Sequence, residues 1–262
     1  MEKRKQDEIE HHNKKRSHNL ERSEYEHLTS SNKFYSVVRS SSAFIDQWLA
    51  LRCHGNKALD YCCGNGKTAL FMAKNGADVV GIDISDISIN NARDSAVAAK
   101  VDHKASFFVM DAENLDFHDN YFDIAACLGV LHHLDIHKAY PELARVLKPD
   151  GEIICDEPLA YNPVIQFYRK ITPHLRTEWE AKHILNKQSI DLARINFDKV
   201  EVRFFHLATL LATPFRKLQC FNTILSMLEA VDGVLLKLPG LKWLAWQVVF
   251  TLSQPKKSKG KL

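Results

Sequence analysis

Cysteine never falls in a pattern that carries chemistry here: six are scattered through 262 residues with no CxxC pair and no Cys/His cluster at zinc spacing. That excludes a zinc-finger framework, and six in a chain this long do not make a disulfide scaffold. A reducing, cytoplasmic setting is the simplest expectation. Charge of one sign is also scarce in excess, since 35 Lys+Arg against 32 Asp+Glu leave only +3, too little to argue nucleic-acid binding from charge. Met1 to His27 lacks the apolar stretch of a signal peptide, carrying seven basic, seven acidic and four His residues. The 19 residues from Val234 to Leu252 are mostly apolar, but Lys237, Pro239, Gly240, Lys242 and Gln247 interrupt them. A transmembrane span is therefore not expected there, whereas peripheral membrane contact through an amphipathic helix and the lysine-rich tail stays open.

What remains is ordinary for a globular chain: 45% hydrophobic, 26% charged and 10% aromatic residues, enough to bury a core in one elaborated domain. The expected organisation is a charged segment over 1–27, either flexible or a solvated helix, a single domain over 28–255, and a tail over 256–262. Within the first segment His11, His12 and His18 form a histidine triplet, but no carboxylate or cysteine is placed to complete a metal site, and none is expected. Phe34, Val37, Val38, Phe44, Ile45, Trp48 and Leu49 fall at helical spacing.

Beyond them the period changes. Lys57 to Cys62, Val79 to Ile84, Ala105 to Met110, Tyr121 to Leu128 and Gly151 to Asp156 read as strands, and Thr68 to Asn75, Ile87 to Ala99 and Ile136 to Leu147 as helices. Such alternation demands a mostly parallel sheet covered on both faces, an α/β doubly wound fold. Two later strands are expected at Lys199 to Leu207 and Ala245 to Leu252, with a helical insertion over 208–243 between them.

The segment Leu59-Asp60-Tyr61-Cys62-Cys63-Gly64-Asn65-Gly66 is a strand entering a small-residue turn, where backbone can approach a ligand closely. Asp83 ends the next strand, where a carboxylate can accept both hydroxyls of a ribose. Asp60 beside the turn would repel phosphate and favours an ammonium group. Asp111, followed by Ala112, can accept from an adenine amine. An adenosine bearing an amino acid, S-adenosylmethionine, satisfies all three.

With these pieces on the page the chain resembles the class I S-adenosylmethionine-dependent methyltransferases, in the branch with a VLHHL-type fourth strand. The matching segments are Leu59 to Gly66, Val80 to Asp83, Met110 to Ala112, Phe122-Asp123 through Leu131-His132-His133-Leu134, and Leu147 to Gly151. One position departs from the family pattern DxGxGxG: Cys62 stands in the first glycine place, where an adjusted backbone is expected. Cys62 and Cys63 are otherwise expected to pack rather than react. The resemblance implies a seven-stranded sheet ending in an antiparallel pair and a cofactor-binding core over 52–157. It also implies a cofactor set of Asp60, Cys62, Gly64, Gly66, Asp83, Ile84, Asp111, Ala112, Cys127, Leu128 and His133.

Methyl transfer from a sulfonium is an in-line displacement that needs positioning and, for a hydroxyl or carbon acceptor, a base. His132 and Glu157, at the carboxyl edge of the sheet, are the catalytic candidates, His133 serving the cofactor side or packing. Residues 158–196 are expected to form a substrate lid rich in cations, which either meet an anionic acceptor group or form a solvated face. Tyr25, Tyr35, Tyr161, Arg169, Arg176 and His206 are the acceptor-site candidates. The expected acceptor is a small metabolite or lipid-like molecule, with oxygen mildly preferred over carbon or nitrogen. Macromolecular methylation is the first rival, weakened because Cys127-Leu128-Gly129-Val130 stands where amino-methylating nucleic-acid enzymes carry an Asn/Asp-Pro-Pro-aromatic motif. A non-catalytic scaffold of the same fold is the second rival, and an NAD-dependent oxidoreductase the third.

Overall fold

The computed structural model describes residues 2–16 and 30–257. Seven strands form one sheet: β1 (Lys57–Tyr61), β2 (Asp78–Asp83), β3 (Ala105–Val109), β4 (Phe122–Leu128), β5 (Leu147–Pro158), β6 (Phe197–Phe205) and β7 (Gln247–Pro255). Their order is β3-β2-β1-β4-β5-β7-β6. β3 through β5 run parallel, while β7 is antiparallel to both β5 and β6. The doubly wound sheet and its terminal antiparallel pair are as expected. β5 extends beyond the expected segment at both ends.

Helices cover both faces because parallel neighbours must be joined by crossovers. On one side α2 (Arg39–Cys53), α3 (Lys67–Lys74) and α4 (Asp86–Ala98) bury Ile45, Trp48, Leu49, Met72 and Ile89 against the sheet. On the other, α5 (Ile136–Val146) contributes Tyr140, Leu143 and Ala144 to a core with Leu59, Ile82 and Cys155. The Ser85 hydroxyl caps α4 by accepting from the Ser88 N–H at 3.0 Å, and Asp135 caps α5 by accepting from the His137 N–H at 3.1 Å. Strand order reverses between β1 and β4, so their carboxyl ends open the crevice in which ligands bind in such sheets.

The lid region folds as α6 (Pro163–Ile171), α7 (Glu178–His183) and α8 (Lys187–Leu192), and the insertion as a 3-10 segment over Ala208–Phe215 followed by α9 (Phe221–Leu235). Prolines at 163 and 173 start short helical pieces, as their fixed φ allows. α6, the insertion and the 3-10 segment Ser30–Val37 share a third core of Val37, Ile165, Leu210, Leu225 and Trp246. Among the described residues no helix is long and apolar enough to cross a membrane.

The largest departure lies at the start. Over 3–16 the charged opening forms a helix, α1 (Lys3–Arg16), which is not freely solvated: it lies across the carboxyl edge of the sheet, paired to Asp83, Asp111 and Glu113. Arg4, Glu8, His12 and Arg16, spaced four apart, form the stripe that faces inward. Its contacts are polar, so no apolar period advertises them.

Candidate active site

Two cavities share a wall. The smaller, about 90 Å³, is lined by Cys62, Asp83, Ile84, Asp111, Ala112, Gly129, Val130 and His133 beneath α1. The larger, about 330 Å³, lies under the lid. Gly129, His133 and His12 border both.

The smaller cavity is built from strand ends. At the β1 turn Gly64 and Gly66 have φ of +53° and +80°, and a Cβ on Gly66 would stand 3.0 Å from Ala92 Cβ. Neither a side chain nor a right-handed backbone fits there. Cys62 also adopts left-handed φ, +59°. The turn therefore keeps the geometry a glycine would supply, and Cys62 bears strain on the order of 1 kcal/mol instead of the adjusted backbone expected. Burial pushes the Cys62 and Cys63 thiols far up, which removes them as nucleophiles at neutral pH.

Asp83 is held rigidly: its Oδ1 accepts from the Ser85 N–H and its Oδ2 from the Gly64 N–H, each at 2.9 Å. Asp111 likewise accepts from the Glu113 N–H at 2.9 Å. Both face the cavity. Asp60 does not line it. Its Oδ2 accepts from the Ala69 N–H at 2.8 Å at the start of α3, and burial raises its carboxyl to about 7. The expected direct grip on an ammonium group is thus replaced by support of the loop from beneath. Cys127 is fully buried in the core and lines neither cavity, and Leu128 borders the acceptor side instead.

α1 roofs this cleft with cations. Lys5 Nζ lies 2.6 Å from Asp111, Arg16 Nη1 3.3 Å from Asp83, and Arg4 Nη1 2.7 Å from the buried Glu113. The side chains of Lys5 and Arg16 stand on the carboxylates that would receive a nucleoside. With them in place the space holds a few waters rather than an adenosine.

The larger cavity carries the acid–base groups. His132 is buried, and its Nδ1 lies 2.5 Å from Glu157 Oε2. Burial opposes the charged imidazole, but the Glu157 carboxylate outweighs it and raises His132 above its ordinary range. Glu157 itself is fully buried, its Oε1 accepting from the N–H groups of Val130 at 2.8 Å and Leu131 at 2.6 Å. It does not line the cavity, so it holds the loop and orients His132 instead of meeting an acceptor. Tyr35, Arg169 and Arg176 line the cavity with Phe34, Tyr168 and Trp246. Burial lowers the Arg169 guanidinium to about 10.

Three acceptor-site expectations fall elsewhere. Tyr25 lies outside the described residues. The Tyr161 hydroxyl accepts from the Lys187 N–H at 3.1 Å, away from the cavity lining. His206 sits in the core, its Nε2 2.7 Å from Ser41 Oγ and Nδ1 3.2 Å from Thr209 Oγ1. Burial holds it down at about 4: it is a structural histidine whose polar partners are Thr209, three residues on, and Ser41 of α2.

Asp156 is a residue the sequence reading passed over. It lines the acceptor cavity, and its buried Oδ1 has no hydrogen-bond partner. Burial, with the adjacent Glu157 charge, raises its carboxyl to about 7. Its neighbour Glu157 drew attention by its place at the carboxyl edge of the sheet, while the period-2 alternation of a strand sends Asp156 to the opposite face.

The sheet has the strand order of Rossmann-like methyltransferase folds, with Asp83 ending β2 and Asp111 following β3, both facing the smaller cavity. Residues 59–155 match the methyltransferase domain family model. Over 101 residues the chain is 40% identical to 27-O-demethylrifamycin SV methyltransferase of Amycolatopsis mediterranei, covering 38% of this chain and 37% of that one. Over 100 residues it is 39% identical to chloroplastic tocopherol O-methyltransferase of Arabidopsis thaliana, covering 37% and 29%. The match therefore spans well under half the length of these curated relatives. Geranyl diphosphate C-methyltransferase from Streptomyces coelicolor A3(2), solved with Mg2+, geranyl-S-thiolodiphosphate and S-adenosyl-L-homocysteine, shares the fold with a TM-score of 0.56. It is 13% identical, over 81% of this chain and 76% of that one.

Proposed function

We propose that this chain transfers a methyl group from S-adenosylmethionine to a small acceptor bound under the lid, oxygen being the preferred atom. The observation that carries the reading is the wall of Gly129 and His133 shared by the two cavities, since an in-line displacement needs donor and acceptor sites that open onto each other. Asp83 and Asp111 would hold the nucleoside once Arg16 and Lys5 swing off them, and the bound cofactor would supply the methyl group. His132, its Nδ1 tied to Glu157, presents Nε2 to take the acceptor's proton. Asp156, poised near neutrality, is the second group suited to proton exchange on that wall.

The cavity is short and polar rather than a long apolar tunnel, with Phe34, Tyr35, Tyr168 and Trp246 beside Arg169 and Arg176. That favours a compact, ring-bearing acceptor with an anionic group over a long lipid. The named relatives act on oxygen and, in the structural comparison, on carbon, which supports either atom as acceptor. Glu157, first expected as a base, is assigned as a positioning residue.

The test is calorimetry with S-adenosylmethionine, followed by transfer of labelled methyl to a panel of carboxylated phenols and aliphatic alcohols. Asp83→Ala should abolish cofactor binding. His132→Ala should bind cofactor normally and lose about 100-fold or more in rate. Normal cofactor binding by Asp83→Ala would sink the cofactor assignment, and full activity in His132→Ala would sink the base.

A further inference from the structure

Where α1 meets the end of β4, three side chains converge on one point. Glu8 and His12, one turn apart on α1, face His133 from the short 3-10 turn Leu131–His133. Glu8 Oε2 lies 3.4 Å from His12 Nε2 and 3.0 Å from His133 Nδ1, and all three ligand atoms fall within 4.8 Å of one another. With metal–ligand bonds near 2.0–2.1 Å, the edges of a zinc tetrahedron are about 3.3 Å. Both carboxylate–imidazole separations match such an edge.

We propose that Glu8, His12 and His133 form a binding site for a divalent transition metal of the zinc class, with its fourth position open to the junction of the two cavities. This does not rest on the methyl-transfer reading, because all three ligands are present whatever the cleft binds.

Three features support it. The donor set of two imidazoles and one carboxylate suits zinc-like ions rather than calcium or magnesium. The Thr177 hydroxyl donates to the other Glu8 oxygen, the outer-layer bond that orients a ligating carboxylate. Among the groups lining the smaller cavity, the cations Arg4, Lys5 and Arg16 are outnumbered by Glu8, Asp83, Asp111 and Glu113. The first three are matched by the last three through ion pairs, so Glu8 is the carboxylate left over, and it faces the histidines. The histidine triplet of the sequence lacked a carboxylate, and folding brings one in from a helical turn away.

The chelator-stripped full chain, titrated with Zn2+ by calorimetry and with Co2+ by visible absorption, tests the site. One equivalent should bind, and the Co2+ spectrum should show d–d bands without a thiolate charge-transfer band. Because losing an outer-layer partner alone costs 10- to 100-fold, His12→Ala and Glu8→Gln should each bind at least about 100-fold more weakly. His11→Ala should bind as the parent does. His12→Cys guards against simple undocking of α1: it retains a ligand, so binding should persist and a thiolate band should appear. Absence of saturable binding, undiminished binding in His12→Ala, a thiolate band in the parent, or no new band in His12→Cys would overturn the assignment.

Discussion

At the scale of single residues, the acceptor wall sets stability against chemistry. The folded chain keeps the Asp156 proton up to about 7, whereas an unfolded chain releases it near the ordinary value of 3.8. The folded state thus binds the extra proton between those values, and stability from this group falls as pH rises through that window. Asp156→Asn has no proton to lose. Its melting temperature should equal the parent's at pH 4 and exceed it at pH 8, by on the order of 5 °C, a gap that thermal melts across pH would measure. His132 is also raised, by Glu157, so its contribution to stability likewise falls as pH rises, while its effect on rate runs the other way. A base must be neutral, so the rate should climb with pH through a midpoint above the ordinary imidazole value of 6.5. In Glu157→Gln burial and the Arg169 charge are opposed only by Glu180, and the pH profile of kcat should show that midpoint falling by about one unit or more. An unmoved midpoint would remove Glu157 from the mechanism.

At the scale of elements, α1 is held differently from its neighbours. α3 and α4 bury apolar side chains in the sheet's core, but α1 docks through ion pairs to Asp83, Asp111 and Glu113. Partly exposed pairs of this kind contribute little each and weaken with salt. Hydrogen exchange should accordingly find α1 the quickest helix to open. Raising salt should speed its amides and leave those of α3 and α4 unchanged. Equal protection of α1 and α4 at both salt levels would contradict electrostatic docking. The Arg16 and Lys5 side chains are the competitors that an incoming cofactor must displace from Asp83 and Asp111, so Arg16→Ala should bind S-adenosylmethionine several-fold more tightly by calorimetry.

At the scale of the molecule, the lid and insertion present apolar groups outward. Phe167 and Ile171 of α6 are 66% and 57% exposed, and Met227 and Val234 of α9 are each 65% exposed, while the buried sides of both helices share one core. Arg216, Lys217, Lys237 and Lys242 accompany them in sequence. The peripheral membrane contact left open by the composition would use this surface. Anionic vesicles should sediment the protein in low salt, and Phe167→Asp should reduce the bound fraction. Protein remaining in the supernatant would remove that contact.

What the linear chain determined by itself was the sheet, because alternating apolar periods and turn residues are local signals. The turn at Gly64 and Gly66 and the strand-end acids Asp83 and Asp111 were legible for the same reason. Only tertiary structure decided which of two adjacent acids meets the acceptor, since Asp156 and Glu157 differ only in the face they point to. It also removed His206 into the core and laid a charged helix over the cleft. His206 meets Ser41, and Arg4 and Lys5 meet Glu113 and Asp111, each more than 100 residues away, and no local pattern encodes a contact so distant in sequence.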